Sequence, residues 1–198
     1  MYKRQGPFLE HCERIHFKRG DYDNMWGQTH SQIKSIGGEV LYYDATGLGE
    51  QSSMFFENRV DITYRYMPVH FGSGVKGKKV RYNFRRNDEM FENFGVQMGW
   101  NLRGRLNRTF LLYNGRSVNI DSCLFIDPQV CNGRIRGVPT REEFITDFVQ
   151  PEWEESERTG KIHIEKSPRD LPSPDLFDSV RLAYADDVYY GLRDSYTL

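Results

Sequence analysis

Three aspartates stand where their surroundings give carboxylates something to do. Asp44 closes the apolar, aromatic run Val40-Leu41-Tyr42-Tyr43 and is followed by Ala45-Thr46-Gly47-Leu48-Gly49, while Asp175 and Asp178 follow Ser173-Pro174 far downstream. A buried strand ending at Asp44 presents that carboxylate at the C-terminal rim of an α/β sheet, where ligands and metals collect. Asp175 and Asp178 lie three apart, so a helix sets them on one face near its positive N-terminal end. Oxygen ligands of this kind suit hard divalent cations. A pair of ions ~3.5–4 Å apart hydrolyses phosphodiesters, one activating water and the other stabilising the leaving oxygen. The competing reading makes Asp44 a turn former before Gly47 and Asp175 a solvated acid at a helix start, and spacing by itself favours it.

Cations form the second constellation. Lys76, Lys78, Lys79, Arg81, Arg85 and Arg86 follow Gly72-Ser73-Gly74 in what reads as a flexible basic loop, and Arg103, Arg105, Arg108 and Arg116 could extend the patch. Clusters of this type neutralise phosphates without reading base sequence. A solvated loop is the alternative, with Arg85 and Arg86 pairing on the helix that follows. Glu165 and Lys166 flank the last helix and are candidates for a supporting or metal-binding role. The histidines show no ligand spacing and the serines no nucleophile elbow. Trp26, Trp100 and Trp153 read as core or interface anchors rather than base-stacking platforms.

The elements that must position these groups follow from pattern. The chain has 198 residues, 38% of them hydrophobic, 14% aromatic and 28% charged, which suits one folded domain with a substantial core and argues against intrinsic disorder. A formal net charge of −1 means that any nucleic-acid site must be a local patch. Cys12, Cys123 and Cys131 lack metal-ligand spacing and fit reduced, structural thiols. No window supplies the ~20 apolar residues of a membrane span, and no signal peptide opens the chain, so a cytosolic protein is expected. Residues 1–7 carry no pattern and read as a non-native or disordered leader ahead of a domain over 8–198.

Strands are predicted over 8–17, 40–44, 62–71 and 160–166, and helices over 23–36, 52–58, 87–100, 140–148 and from Ser173 onward. Ser173 is the expected N-cap of the last helix, with Pro174 at its first position. Between 101 and 138 the period changes. Phe110-Leu111-Leu112-Tyr113, Val118 to Ile120 and Cys123 to Ile126 read as short strands, and Asn114-Gly115 as a hairpin turn, together an inserted β element.

The order of these pieces resembles a known family. Asp44-Ala45-Thr46-Gly47-Leu48-Gly49 resembles the D-x-T-G-x-G segment of the nuclease domain in the large terminase subunit of tailed bacteriophages. Met67-Pro68-Val69-His70-Phe71 is similar to the family's next strand, and Asn83-Phe84-Arg85-Arg86-Asn87-Asp88-Glu89-Met90-Phe91 to its N-x-R-x-E-M-W segment. Gly160-Lys161-Ile162-His163-Ile164-Glu165-Lys166 and Ser173-Pro174-Asp175-Leu176-Phe177-Asp178 resemble its ending. The likeness covers roughly residues 9–190 outside the insertion.

The resemblance implies an RNase H-like mixed α/β sheet flanked by helices and a metal-dependent endonuclease acting on double-stranded DNA. Asp44, Asp175 and Asp178 would be its acids, with Mg²⁺ or Mn²⁺ as the two-metal cofactor. Implied partners are the terminase ATPase domain, the portal and the small terminase subunit, in the host cytoplasm. The family's first acid and its strand have no counterpart here, nor does the phosphate loop of the motor. The expectation is therefore a sheet lacking its first strands and a weakly active or inactive site, or, alternatively, a non-catalytic DNA- or motor-binding module.

Overall fold

The computed structural model describes residues 2–12, 18, 20–46, 50–82, 84–135, 138–168 and 171–189. The strand expectation for residues 13–17, Gly47 to Gly49 of the Asp44 motif, and Asn83 lie outside them.

The first seven residues, patternless in sequence, contain strand β1 (Tyr2–Gln5), which pairs antiparallel with β2 (Phe8–Cys12). Helix α1 (Tyr22–Ser35) turns its Trp26, His30 and Ile33 inward and stops at Gly37, whose φ of +62° suits glycine. Strand β3 (Val40–Asp44) buries Leu41 and Tyr43 and leaves Asp44 exposed at its end. Helix α2 (Glu50–Glu57) returns to β4 (Arg65–Val69), which runs parallel to β3 in the register Val40↔Arg65 to Asp44↔Val69. This β-α-β unit closes over Trp26, Ile33, Leu41, Tyr43, Phe56 and Tyr64.

An ionic clamp fastens the unit's rear. Buried His30 sets Nδ1 2.9 Å from the Tyr64 hydroxyl and Nε2 2.9 Å from Asp61 Oδ2, and Arg59 Nε donates to Asp61 Oδ1 at 3.0 Å. Hydrogen bonds from Arg59 and His30 hold the Asp61 carboxyl well below its ordinary value of 3.8. Because the folded-state value is the lower one, the clamp's contribution is complete above pH ~4 and is lost as pH falls through the folded value. The substitution Asp61→Asn is therefore expected to flatten the acid limb of the stability curve below pH ~4 in low salt, as read by thermal melts.

The basic stretch 72–86 is tied down, against the sequence expectation of a flexible loop. Buried Gln97 accepts from the Lys76 amide at 2.8 Å and donates to the Lys76 carbonyl at 3.0 Å. Buried Asn87 donates to the Lys76 and Gly77 carbonyls at 3.2 Å. From this base rises a hairpin of β5 (Arg81–Tyr82) and β6 (Arg85–Arg86), leading into α3 (Asn87–Met90).

The next helix, α4 (Phe94–Tyr113), is where the sequence misled most. It is capped by Asn93, whose side chain accepts from the Val96 amide at 3.0 Å, and it continues unbroken through 101–113, expected to start the β insertion. Asn114-Gly115 is its C-cap rather than a hairpin turn: Gly115 at φ +76° donates to Leu112 O, and Arg116 donates to Leu111 O. Gly99 permits a close approach, since a Cβ there would lie 2.8 Å from Ile164 Cδ1 and 3.1 Å from Trp153. A 3₁₀ turn at Ile120–Ser122 follows. Among the described residues the strands of this region are β7 (Phe125–Ile126), parallel to β2, and the β8 (Arg134–Ile135) and β9 (Val138–Pro139) pair that flanks, with α5 (Pro128–Cys131), the start of α6 (Thr140–Val149).

Strands β10 (Glu152–Glu155) and β11 (Ile162–Glu165) pair antiparallel, and helices α7 (Asp175–Ala183) and α8 (Ala185–Tyr189) complete the described chain. The N-cap position of α7 is Pro174, not Ser173, and the Leu176 amide is met from another element, by Asp147 of α6 at 2.8 Å. Trp100 and Trp153 pack edge-to-face, 5.2 Å between centroids, and anchor the core as expected. Cys123 and Cys131 are free thiols.

Sheet pairing is fragmented into one three-stranded and four two-stranded sheets. Among the described residues β2 pairs with β1 and β7, never with β3. A cleft of about 560 Å³ lies between β1 and β3, lined by Arg4, Val40, Leu41, Leu182 and Asp186 among others. What docks the β1–β2 hairpin is a buried polar network: Tyr184 donates to Pro7 O at 2.9 Å and lies between the Arg4 and Arg105 guanidiniums, which both reach Asp187.

Candidate functional site

Helix α7, which carries Asp175 and Asp178, packs against β3, which ends at Asp44. Asp178 is the centre of the arrangement. Its Oδ2 accepts from Lys166 Nζ at 2.6 Å and its Oδ1 from the Arg181 guanidinium one turn along the same helix. Arg181 is itself buried, donates to Gly95 O at 2.9 Å and stacks 4.2 Å above the Phe71 ring. Burial pushes this guanidinium below its ordinary value, while Asp178, by charge and hydrogen bond, and Asp44, by charge, oppose that shift. One buried cation thus stands in the field of two of the three predicted acids.

Asp44 is exposed, and its Oδ1 accepts from the Thr46 amide at 2.8 Å, an Asx-type bond that fixes the carboxylate at the strand end. Asp175 is exposed at the first position of α7, and its carbonyl accepts from Ser179 Oγ. Glu165 accepts from the Ser167 amide at 2.9 Å, and His163 pairs with Glu92 at 2.5 Å.

Carboxylate oxygens suit Mg²⁺ or Mn²⁺, but the described residues do not fit a two-ion cage as they stand. Among them no group of three or more His, Cys, Asp or Glu side chains is placed to hold an ion. Asp178 moreover has one cation on each oxygen already.

The predicted cations divide into two sets. Arg85 donates to Glu155 at 3.1 Å and to the Glu89 and Gly160 carbonyls, and Arg86 to Asp88 at 3.0 Å, so both fasten the hairpin to its surroundings. Lys76 lies half-buried, its ammonium 5.2 Å from the centre of the Phe94 ring. Lys78, Lys79 and Arg81 are exposed and make no ion pair among the described residues. Arg105 and Arg108 cannot extend the patch, because α4 turns both into the interior, where Arg105 meets Asp187 and Arg108 Nε donates to Ser122 O.

Sequence reasoning missed Arg181, Asp147 and Asp187. Arg181 had a local signal, since it stands three residues after Asp178 on a helix, a spacing that favours an ion pair. The other two act across elements and leave no local trace.

No protein-family profile matches the chain, and no curated protein does. Solved structures do. The fold is similar to the nuclease domain of the large terminase subunit gp2 of bacterial virus Sf6, with a TM-score of 0.76 at 17% identity over 91% of this chain and 78% of that one. A lysine-to-alanine mutant of that domain gives 0.73 over 91% and 80% when solved with manganese, and 0.72 over 91% and 78% with calcium, both again at 17% identity. The chain has a terminase nuclease-domain fold, an RNase H-like mixed α/β arrangement of small sheets flanked by helices. Among the described residues no helix is long and apolar enough to cross a membrane.

Proposed function

We propose that this chain is the DNA endonuclease domain of a phage packaging terminase, a hydrolase that uses Mg²⁺ or Mn²⁺ and cuts double-stranded DNA in the host cytoplasm at the procapsid portal. Its motor ATPase, portal and small terminase subunit are the partners this reading entails. The observation that carries it is the fold shared with that nuclease domain, in which α7, bearing Asp175 and Asp178, packs against the strand that ends at Asp44.

The roles follow from placement. Asp44, Asp175 and Asp178 are the proposed catalytic and metal-binding acids. Lys78, Lys79 and Arg81 face solvent and neutralise phosphates, Lys76 contributes from the half-buried base, and Arg85 and Arg86 brace the hairpin that carries the free cations. Lys166 and Arg181 pair with the Asp178 carboxylate, one on each oxygen, and orient it. Full activity accordingly requires another acid beside Asp44 or the release of Asp178 from these two cations, and the chain alone is weakly active or inactive.

Plasmid nicking in Mn²⁺ tests this. The expected result is slow nicking or none, with any nicking removed by Asp44→Ala. Robust cutting that Asp44→Ala abolishes would establish a complete acid set and overturn the inactivity. Failure to bind duplex DNA at low salt would overturn the nuclease reading itself.

A further inference from the structure

We infer that Phe84, at the tip of the β5–β6 hairpin, is a wedge that enters the minor groove of duplex DNA and parts one base step, while Lys78, Lys79 and Arg81 hold the adjoining phosphates. The inference rests on the DNA-binding reading above and adds a contact to the bases that this reading lacks.

Phe84 is 91% exposed and has a φ of +73°, the one positive φ among the described non-glycine residues. For a bulky L-residue that conformation is a true outlier, and such strain persists only where the surroundings impose it. Exposing a large ring and straining its backbone both oppose folding, and among the described residues no packing offsets either. What imposes the geometry is visible. The hairpin register Arg81↔Arg86 and Tyr82↔Arg85 is closed at its base by the Asn87 amide on Val80 O at 2.9 Å. Arg85 ties the returning strand to Glu155 and Gly160, and Asn87 and Gln97 immobilise the preceding loop. The ring therefore stands out from a hairpin whose base and returning strand are braced.

Charge selects the occupant. Arg85 and Arg86 are matched by acids, so the cations left facing outward are Lys78, Lys79 and Arg81, on the strand and turn that lead up to the ring. A polyanion with an apolar slot is the complementary surface. Duplex DNA supplies both, since apolar wedges carried beside basic residues part base steps from the minor groove. A phenyl ring has no polar group to satisfy between bases, so the ring alone, not the paired strands behind it, is what would enter the groove.

The test uses a duplex carrying 2-aminopurine, whose fluorescence rises on unstacking, with the unaltered chain, Phe84→Asn and Phe84→Trp. Asparagine tolerates the left-handed backbone, so Phe84→Asn removes the ring without adding strain. The unaltered chain and Phe84→Trp are expected to raise the fluorescence on binding. Phe84→Asn is expected to bind about tenfold more weakly, with no rise and with an unchanged slope of log affinity against log salt, because its phosphate contacts remain. Duplex binding by the unaltered chain without a rise overturns the wedge and leaves the nuclease reading standing. Full affinity and an undiminished rise in Phe84→Asn also overturn it and assign the ring to a protein surface. Absence of duplex binding at low salt overturns both.

Discussion

Replacing Asp187 with alanine is expected to destabilise the domain by about 3–5 kcal/mol, the loss typical of an ion pair broken in the interior. Arg105 is 0% exposed and Asp187 1%, with Arg105 Nε 2.6 Å from Asp187 Oδ2. Arg4 donates to the other oxygen at 3.0 Å and Asn101 to Oδ2 at 3.3 Å. Removing the carboxylate strands a buried guanidinium whose remaining acceptors are the Asp121 and Cys123 carbonyls, and it frees the β1–β2 hairpin from α8. For a chain of this size the melting temperature should fall by roughly 6–20 °C. The comparison that isolates the charge is the double variant Arg105→Met with Asp187→Leu. Apolar side chains of similar volume remove both charges together, and the double variant should lie within ~1 kcal/mol of the unaltered protein. Urea unfolding of the two singles and the double checks the claim. A single Asp187→Ala within ~0.5 kcal/mol of the unaltered protein would show that the pair contributes nothing, as many exposed pairs do.

The second large effect concerns DNA. The triple variant Lys78→Ala, Lys79→Ala, Arg81→Ala should lower duplex affinity at 0.1 M salt by about 500-fold, since each phosphate contact releases about 0.9 counterion as it forms and losing three changes the slope by about 2.7. The same variant should leave the thermal melt nearly unchanged, because all three side chains are exposed and make no ion pair among the described residues. Neutralising Arg85 and Arg86 instead should disturb the hairpin, which they brace through Glu155, Gly160, Asp88 and Glu89. Titrations over a salt series separate the two. A slope that the triple variant does not alter would remove these cations from the interface.

How much of this the sequence carried depended on whether the signal was local. Strands β3 and β11 were legible because alternating, β-prone residues end in glycine or charge on both sides, and Asp44 at the end of β3 came with them. Helix α1 was legible from its apolar spacing and the Gly37-Gly38 stop. The half of helix α4 beyond Trp100 was not, and the reason is specific. Arg105 and Arg108 occupy inward positions because Asp187 and Ser122 satisfy them, so the apolar period that marks a helix is interrupted by charge. Asn114-Gly115 then misdirected the reading, because a left-handed residue serves a hairpin turn and a helix C-cap equally well. Ser173 had the chemistry of a cap, yet the carboxylate that reaches the first turn of α7 comes from Asp147, twenty-nine residues upstream. In the site, the identities of the acids were open to sequence reasoning, whereas the neutralisation of Asp178 was not, since half of it comes from Lys166 on another segment.

The first turns of α4 also fix a length. Gly95 accepts from the Arg181 guanidinium that pairs with Asp178, and Gln97, half a turn on, holds the backbone beneath the basic hairpin. A helix is stiff over so short a span, so the base of the hairpin and the Asp178 carboxylate keep one separation. Under the proposed endonuclease function that separation would act as a ruler, and the point of scission would be expected to follow where the hairpin seats on the duplex rather than the bases at the break.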